Sequence, residues 1–179
     1  MVIMMSIAVI LDTSALLRAY RYIMSDEIYY LLGTDRVFFY MPPSVIDEVK
    51  SQRFMVSFLS LKPKITVMEP SSQAVSVVKK EAEKMGYLGD LSDVDIDVVA
   101  LAVDLTHRYE SAIVMTSDMA IQNICRVLNI DVLSVGKKIK YVARRMKKCL
   151  NCGMTYSASL DKCPNCASNN YRILVRRVK

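Results

Sequence analysis

Four of the chain's five cysteines fall within eighteen residues, "CLNCGMTYSASLDKCPNC" at 149–166, and no other feature restricts the fold so tightly. Cys149 and Cys152 form one C-x-x-C pair, Cys163 and Cys166 another, with ten residues between the pairs. Two such corners present four thiolates tetrahedrally to a Zn²⁺ at about 2.3 Å. Gly153 and Pro164 are the residue types that tight turns around a metal favour. With sulfur in all four positions nothing is left open for catalysis, so the expected zinc is structural, one per chain. Its role is to fold about thirty residues that lack a core of their own. Disulfides are the alternative, but the chain reads as cytoplasmic, where thiols stay reduced. The fifth cysteine, Cys125 in "AIQNICRVL", reads as a small buried apolar side chain.

A length of 179 residues suits one main domain with a satellite. No run reaches the roughly 18 apolar residues of a membrane span. The apolar start "MVIMMSIAVIL" has neither a basic leader nor a cleavage site and runs into Asp12. It reads as a first strand, in a soluble cytoplasmic protein with no membrane partner. Charge divides the chain unevenly: twelve of the 24 lysines and arginines, but one of the 18 acids, lie at or beyond Lys137. A basic tail on an acidic body implies that the tail meets a polyanion while the body uses its carboxylates otherwise. Tyr141, Tyr156 and Tyr171 are interleaved with those bases, a pattern suited to stacking nucleobases and equally to filling a small ribbon.

Short apolar runs alternate with helical patterns along the body. "IAVILD", "RVFFYM", "ITVME", "AIVMTSD" and "IDVLSV" read as strands. "SALLRAYRYI", "SVIDEVKSQRFMVSFL", "SQAVSVVKKEAEKM", "SDVDIDVVALAVDLTH" and "MAIQNICRVL" have helical length and period. The expected class is α/β, a mainly parallel sheet covered on both faces, with a small C-terminal zinc ribbon. The expected boundaries are a body over 1–136, a basic linker or terminal helix over 137–148, and the ribbon over 149–179.

The inventory excludes several chemistries. The only histidine, His107, ends a helix, and five scattered glycines build neither a Walker loop nor a dinucleotide fingerprint. Any enzyme here works with carboxylates. Asp12 ends the first strand and Asp118 follows the fourth, at the strand ends where parallel sheets form ligand crevices. Glu48 and Asp95 each lie one turn into a helix. Clustered acids repel one another and are tolerated where a divalent cation neutralises them. Each also has a structural alternative: Asp12 as a helix cap, Asp47 as capping-box partner of Ser44, Asp93 and Asp97 as solvent-facing first-turn acids.

"VILDTSALL", "PPSVIDEV", "LSDVDIDVVALA" and "VMTSDMAIQNI", in this order, resemble the PIN-domain nucleases over roughly residues 6–135. The resemblance implies a PIN-like three-layer fold and carries the family's acids onto Asp12, Glu48, Asp95 and Asp118, with Ser92 as the serine of the third motif. Together with the two cysteine pairs the chain is similar to the NOB-type ribosome-maturation endonucleases. That likeness implies Mg²⁺ or Mn²⁺ held by Asp12, Asp95 and Asp118, and cleavage of precursor small-subunit (16S) ribosomal RNA to its mature 3′ end. It also implies ribosome-assembly factors as partners within a pre-ribosomal particle. One departure is Ser117, where such sequences often carry a second aspartate before Asp118.

Lys140, Arg144, Arg145, Lys147, Lys148, Arg176 and Arg177 are the candidate RNA contacts of the tail. Two other readings remain open: a toxin-type PIN ribonuclease, which generally has no ribbon, and a non-catalytic RNA-binding assembly scaffold. The cysteine spacing yields a test. Cys149→Ser or Cys163→Ser is expected to lose one zinc per chain by elemental analysis and to unfold the tail. An ordered tail in metal-free protein would defeat the assignment.

Overall fold

The computed structural model describes residues 6–16, 36–50 and 65–178. In chain order these hold β1 (Ile7–Leu11), β2 (Val37–Met41), α1 (Pro43–Lys50), β3 (Ile65–Val67), α2 (Ser72–Met85), α3 (Asp93–Leu105), β4 (Ser111–Thr116), α4 (Met119–Val127) and β5 (Asp131–Ser134). Three further strands follow, β6 (Ala143–Cys149), β7 (Thr155–Ser157) and β8 (Tyr171–Arg177). All five expected body strands form. Of the expected first helix only residues 14–16 are described, and they are helical. The rest of it, and the second helix beyond residue 50, lie outside the described residues.

The first five strands pair in parallel in the order β3-β2-β1-β4-β5. β1 is central, and its "AVIL" is buried because neighbours and helices leave no face for solvent. Right-handed crossovers place α2, α3 and α4, which link strands stepping towards β5, together on one face. They pack on one another and on β1, β4 and β5 as that rule requires. α3 carries buried Ile96, Val98, Val99, Ala100, Leu101, Ala102 and Leu105, nearly all round, so it is an interior layer. Chain order reverses between β1 and β4, and the carboxyl ends of these two strands open the crevice such a reversal creates.

The tail departs from expectation. Residues 143–148 of the expected basic linker or terminal helix form, with Cys149, strand β6, the middle of an antiparallel sheet ordered β7-β6-β8. Pairing decides this: from Ala143 to Cys149 every residue has a partner in β8, which a helix could not offer.

This second sheet is joined to the body through buried amides. Asn123 of α4 donates to the Ala143 carbonyl and accepts from its N–H, each at 2.8 Å. Gln122 donates to the Lys137 carbonyl at 2.9 Å and accepts from the Ile139 N–H at 3.0 Å. Gly86 ends α2 in the left-handed region at φ 77°, and a Cβ there would stand 2.5 Å from the Arg145 carbonyl oxygen. The chain thus needs glycine twice over at that point, for its dihedral and for β6's approach. Arg145 closes the junction by pairing with Asp90 and lying over the Tyr87 ring.

Asn123→Ala leaves both buried polar groups of Ala143 without a partner, which costs about 2 kcal/mol or more. The expected result is a clear drop in the urea midpoint. An unchanged midpoint would show that these bonds do not hold the junction.

Candidate active site and nucleic-acid face

The parallel register that aligns Leu11 with Met115 sets Asp12 beside the end of β4. Asp12 is 4 % exposed, and its Oδ2 accepts from the Thr116 hydroxyl at 2.7 Å and from the Ser14 hydroxyl at 2.6 Å. Thr116, fully buried, also accepts from the Asp118 N–H at 2.9 Å. One hydroxyl therefore ties the two strand-end acids together. Ser14 accepts from the Ser117 N–H at 3.0 Å and fixes the turn between β4 and α4.

Asp118 caps α4, its Oδ1 accepting from the N–H groups of Ala120 and Ile121 at 2.6 and 3.0 Å. Asp95 forms a capping box with Ser92: its Oδ2 accepts the Ser92 N–H at 2.8 Å while its own N–H donates to the Ser92 hydroxyl. Capping and clustering are compatible here, because capping fixes one oxygen and leaves the other free. Burial raises the Asp95 pKa, bonds from Ser92 oppose that, and the charges of Asp12 and Asp118 raise it further. These three carboxylates therefore share one field. Glu48, exposed at the rim on α1, accepts from the Thr13 hydroxyl.

The neighbouring acids sort themselves by their partners. Asp93 is exposed and lies 3.6 Å from the Lys79 amine. Asp97 accepts from the Ser44 hydroxyl at 2.8 Å and bridges α3 to α1. That bond corrects the expected Ser44–Asp47 box: α1 begins at Pro43, so Ser44 is already inside the helix.

In the tail the Sγ atoms of all four cysteines lie within 4.8 Å of one another, with Cys149–Cys166 and Cys152–Cys163 at 3.5 Å. A tetrahedron around zinc has edges of about 3.8 Å, whereas a disulfide needs about 2.05 Å. The donor set therefore fits a closed metal site and is consistent with a zinc ribbon. Bonds from the Asn165 side chain and the Met154 backbone hold the Cys152 thiol down at about 6. Ser168 pulls Cys166 the same way, yet crowding by the other sulfurs outweighs it and leaves that thiol at about 12. Four thiolates coexist here only around a cation. Apart from the sulfurs the ribbon buries little besides Tyr156, too small a core to hold three strands.

Strand periodicity divides the basic residues between two faces of the ribbon. Arg144 opposes Arg176 and Lys148 opposes Arg172 on one face, with no ion pair to any of them among the described residues. Like charges directly opposite are destabilising, so this face suits a polyanion. Arg172 was missed in the sequence, although the alternation of "YRILVRR" carries it. Lys147 turns inward: it is 7 % exposed, and its amine donates to the Leu160 carbonyl and sits over the Tyr171 ring, so it is already engaged within the ribbon. Arg145 is occupied at the junction. Arg177 lies over Tyr141, and Lys140 is exposed before β6. His107 is exposed, and Cys125 is fully buried with its thiol pKa pushed up by burial.

The raised Asp95 pKa sets the sign of a pH dependence. The folded chain holds this proton more tightly than the unfolded chain, so the contribution is full at low pH and is lost as pH rises through the raised value. Asn keeps the acceptor for Ser92 and removes the charge. Without added Mg²⁺ or Mn²⁺, Asp95→Asn is expected to melt a few degrees above the parent at pH 7 and level with it in acid. Equal melting at pH 7 by circular dichroism would show that the acids do not strain one another.

Over residues 9–105 the sequence matches the family described as the PIN domain of ribonuclease. It is 34% identical over 133 residues to the endoribonuclease Nob1 of Pyrococcus abyssi, covering 72% of this chain and 80% of that protein. Nob1 of Methanocaldococcus jannaschii is 27% identical over 172 residues, 93% of this chain and 78% of that one, a span that must enter the cysteine segment. The ribonuclease VapC1 of Thermoplasma acidophilum is 33% identical over 137 residues, covering 76% of this chain and 66% of its own length. Among solved structures, that of VapBC2 from Rickettsia felis bound to a promoter DNA fragment superposes with a TM-score of 0.55 at 15% identity. It covers 72% of this chain and 99% of that one, a likeness of fold alone. Acids at the ends of two adjacent parallel strands, the switch between β1 and β4 and these matches agree: the chain belongs to the PIN-domain family of ribonucleases.

Proposed function

We propose that the chain cleaves precursor small-subunit (16S) ribosomal RNA to form its mature 3′ end, acting within a pre-ribosomal particle in the cytoplasm with assembly factors as partners. The observation that carries this reading is one chain holding both parts, a three-acid crevice and a four-cysteine ribbon whose free basic face suits RNA. The toxin-type alternative explains the crevice and leaves the ribbon without a purpose. The scaffold alternative leaves three repelling carboxylates without one.

The oxygens of Asp12, Asp95 and Asp118 left over from their structural bonds, with Glu48 at the rim, form a hard donor set that suits Mg²⁺ or Mn²⁺. Such an ion supplies Lewis acidity and a water more acidic than bulk water. The chain supplies position. Thr116 and Ser14 hold one Asp12 oxygen so that the other is aimed, and Thr13 does the same for Glu48. Capping of α4 orients Asp118 towards the same crevice. Cys149, Cys152, Cys163 and Cys166 would hold a zinc that fixes the ribbon's shape, so that Arg144, Lys148, Arg172 and Arg176 meet phosphates that the acidic crevice alone would repel.

Asn preserves every hydrogen bond these acids accept, so Asp→Asn separates charge from structure. Asp12→Asn, Asp95→Asn and Asp118→Asn are each expected to slow cleavage of a precursor RNA fragment by at least about a hundredfold with Mg²⁺ or Mn²⁺. RNA binding should survive. Glu48→Gln is expected to be milder, and Asp97→Asn, which keeps its bond to Ser44, nearly silent. Asn variants that cut at the parental rate would remove the nuclease reading in favour of the scaffold.

A further inference from the structure

Between the body and the ribbon runs a groove of about 370 Å³, bordered by Tyr87, Met119, Lys138, Lys140, Tyr141 and Val175. Four features separate it from an ordinary surface cleft. One of its lining residues, Met119, directly follows Asp118 at the start of α4. Its apolar side chains lie open to solvent: Met119 is 58 % exposed, Val175 57 % and Tyr141 46 %. Its charged lining is all basic, whereas the cleft beyond Gly86 sets Glu83 and Asp161 against Lys147. Its basic rim is also built rather than loose, since Gln122 bonds the backbone of Lys137 and Ile139, and Asn123 that of Ala143. Two buried amides thus hold Lys138, Lys140 and Tyr141 in place.

The Tyr141 ring is backed on one side by the Arg177 guanidinium, 5.6 Å from its centroid. A ring so backed keeps its other face for a second planar group, and the nearby cation strengthens the stack. From Met119 to Asn123, at 1.5 Å per helical residue, the groove follows α4 for about 6 Å. That is the reach of one or two nucleotides. A paired base keeps its faces inside its own stack, so only an unpaired strand can offer one to Tyr141.

We propose that this groove binds single-stranded RNA beside the scissile phosphodiester, a nucleobase stacking on Tyr141 over Met119 and Val175 while Lys138 and Lys140 take the flanking phosphates. The inference rests on the endoribonuclease reading and deepens it. The crevice cuts next to a strand it has checked for being unpaired, and the outer ribbon face, with Arg144, Lys148, Arg172 and Arg176, holds RNA by its backbone alone.

The test uses the full chain carrying Asp12→Asn, so that bound RNA is not cut, with a fluorescent ten-nucleotide single strand and a ten-base-pair RNA duplex as probes. Added Tyr141→Ala is expected to weaken single-strand binding about tenfold and to leave the duplex unchanged, while Tyr141→Phe restores it. Lys138→Gln with Lys140→Gln should flatten the single-strand salt slope by about 1.4, near 0.7 for each phosphate released. Unchanged single-strand affinity in Tyr141→Ala, or an equal loss for the duplex, overturns the groove. Cleavage by the parent distinguishes the two readings. If the parent cuts RNA and Tyr141→Ala binds the single strand normally, the groove alone fails; if the parent neither binds nor cuts RNA, both readings fail.

Discussion

A single buried hydroxyl links the parts of this site. Thr116 donates to Asp12 and accepts from the Asp118 backbone, so the ends of the two central strands share one hydrogen-bonded joint. The joint exists because β1 and β4 are parallel neighbours in register, which brings residues 104 positions apart to the same edge. Removing that alignment would leave a charged side chain in the core with nothing to satisfy it, at several kcal/mol. Asp12 therefore depends on the sheet for more than its location: its burial is tolerable only in this register.

The same economy recurs at the helix starts. Asp95 and Asp118 each stabilise a helix N-terminus with one oxygen, and the helix in turn fixes the carboxylate's direction. A carboxylate held by backbone donors cannot swing away when its neighbours repel it. Burial first, and then the charges of Asp12 and Asp118, raise the Asp95 pKa, and a divalent cation would offset both. Structural and chemical roles here are two oxygens of one side chain.

The ribbon follows a different logic, because it has almost no apolar core and takes its shape from sulfur. Its attachment is nonetheless specific. Gly86 lets β6 come within van der Waals distance of α2, and the amides of Gln122 and Asn123 bind the connecting chain at a point where a basic linker or terminal helix was expected. A tethered ribbon would place its cations anywhere; this one sets Lys138, Lys140 and Tyr141 beside the residue that follows Asp118.

Local pattern determined much by itself. All five body strands, the limits of α2, the cysteine spacing and the acids at strand ends follow from hydrophobic period, capping residues and motif order, which act over a few neighbouring residues. Asp95, flanked by Asp93 and Asp97, is singled out only by the resemblance's serine-x-x-aspartate pattern, and the structure shows that offset as a capping box with Ser92. What only the tertiary structure decided are contacts between distant segments. Residues 137–148 look helical or linker-like alone, and β6 forms because β8, some thirty residues later, pairs with it. Lys147 reads as one more surface cation until its strand parity turns it inward to the Leu160 carbonyl, while the same parity turns Arg172 outward. Gln122 and Asn123 look like ordinary polar residues of an amphipathic helix. Their buried roles come from chain that arrives fifteen to twenty residues later, and sequence carries no local trace of a partner that folding has yet to bring.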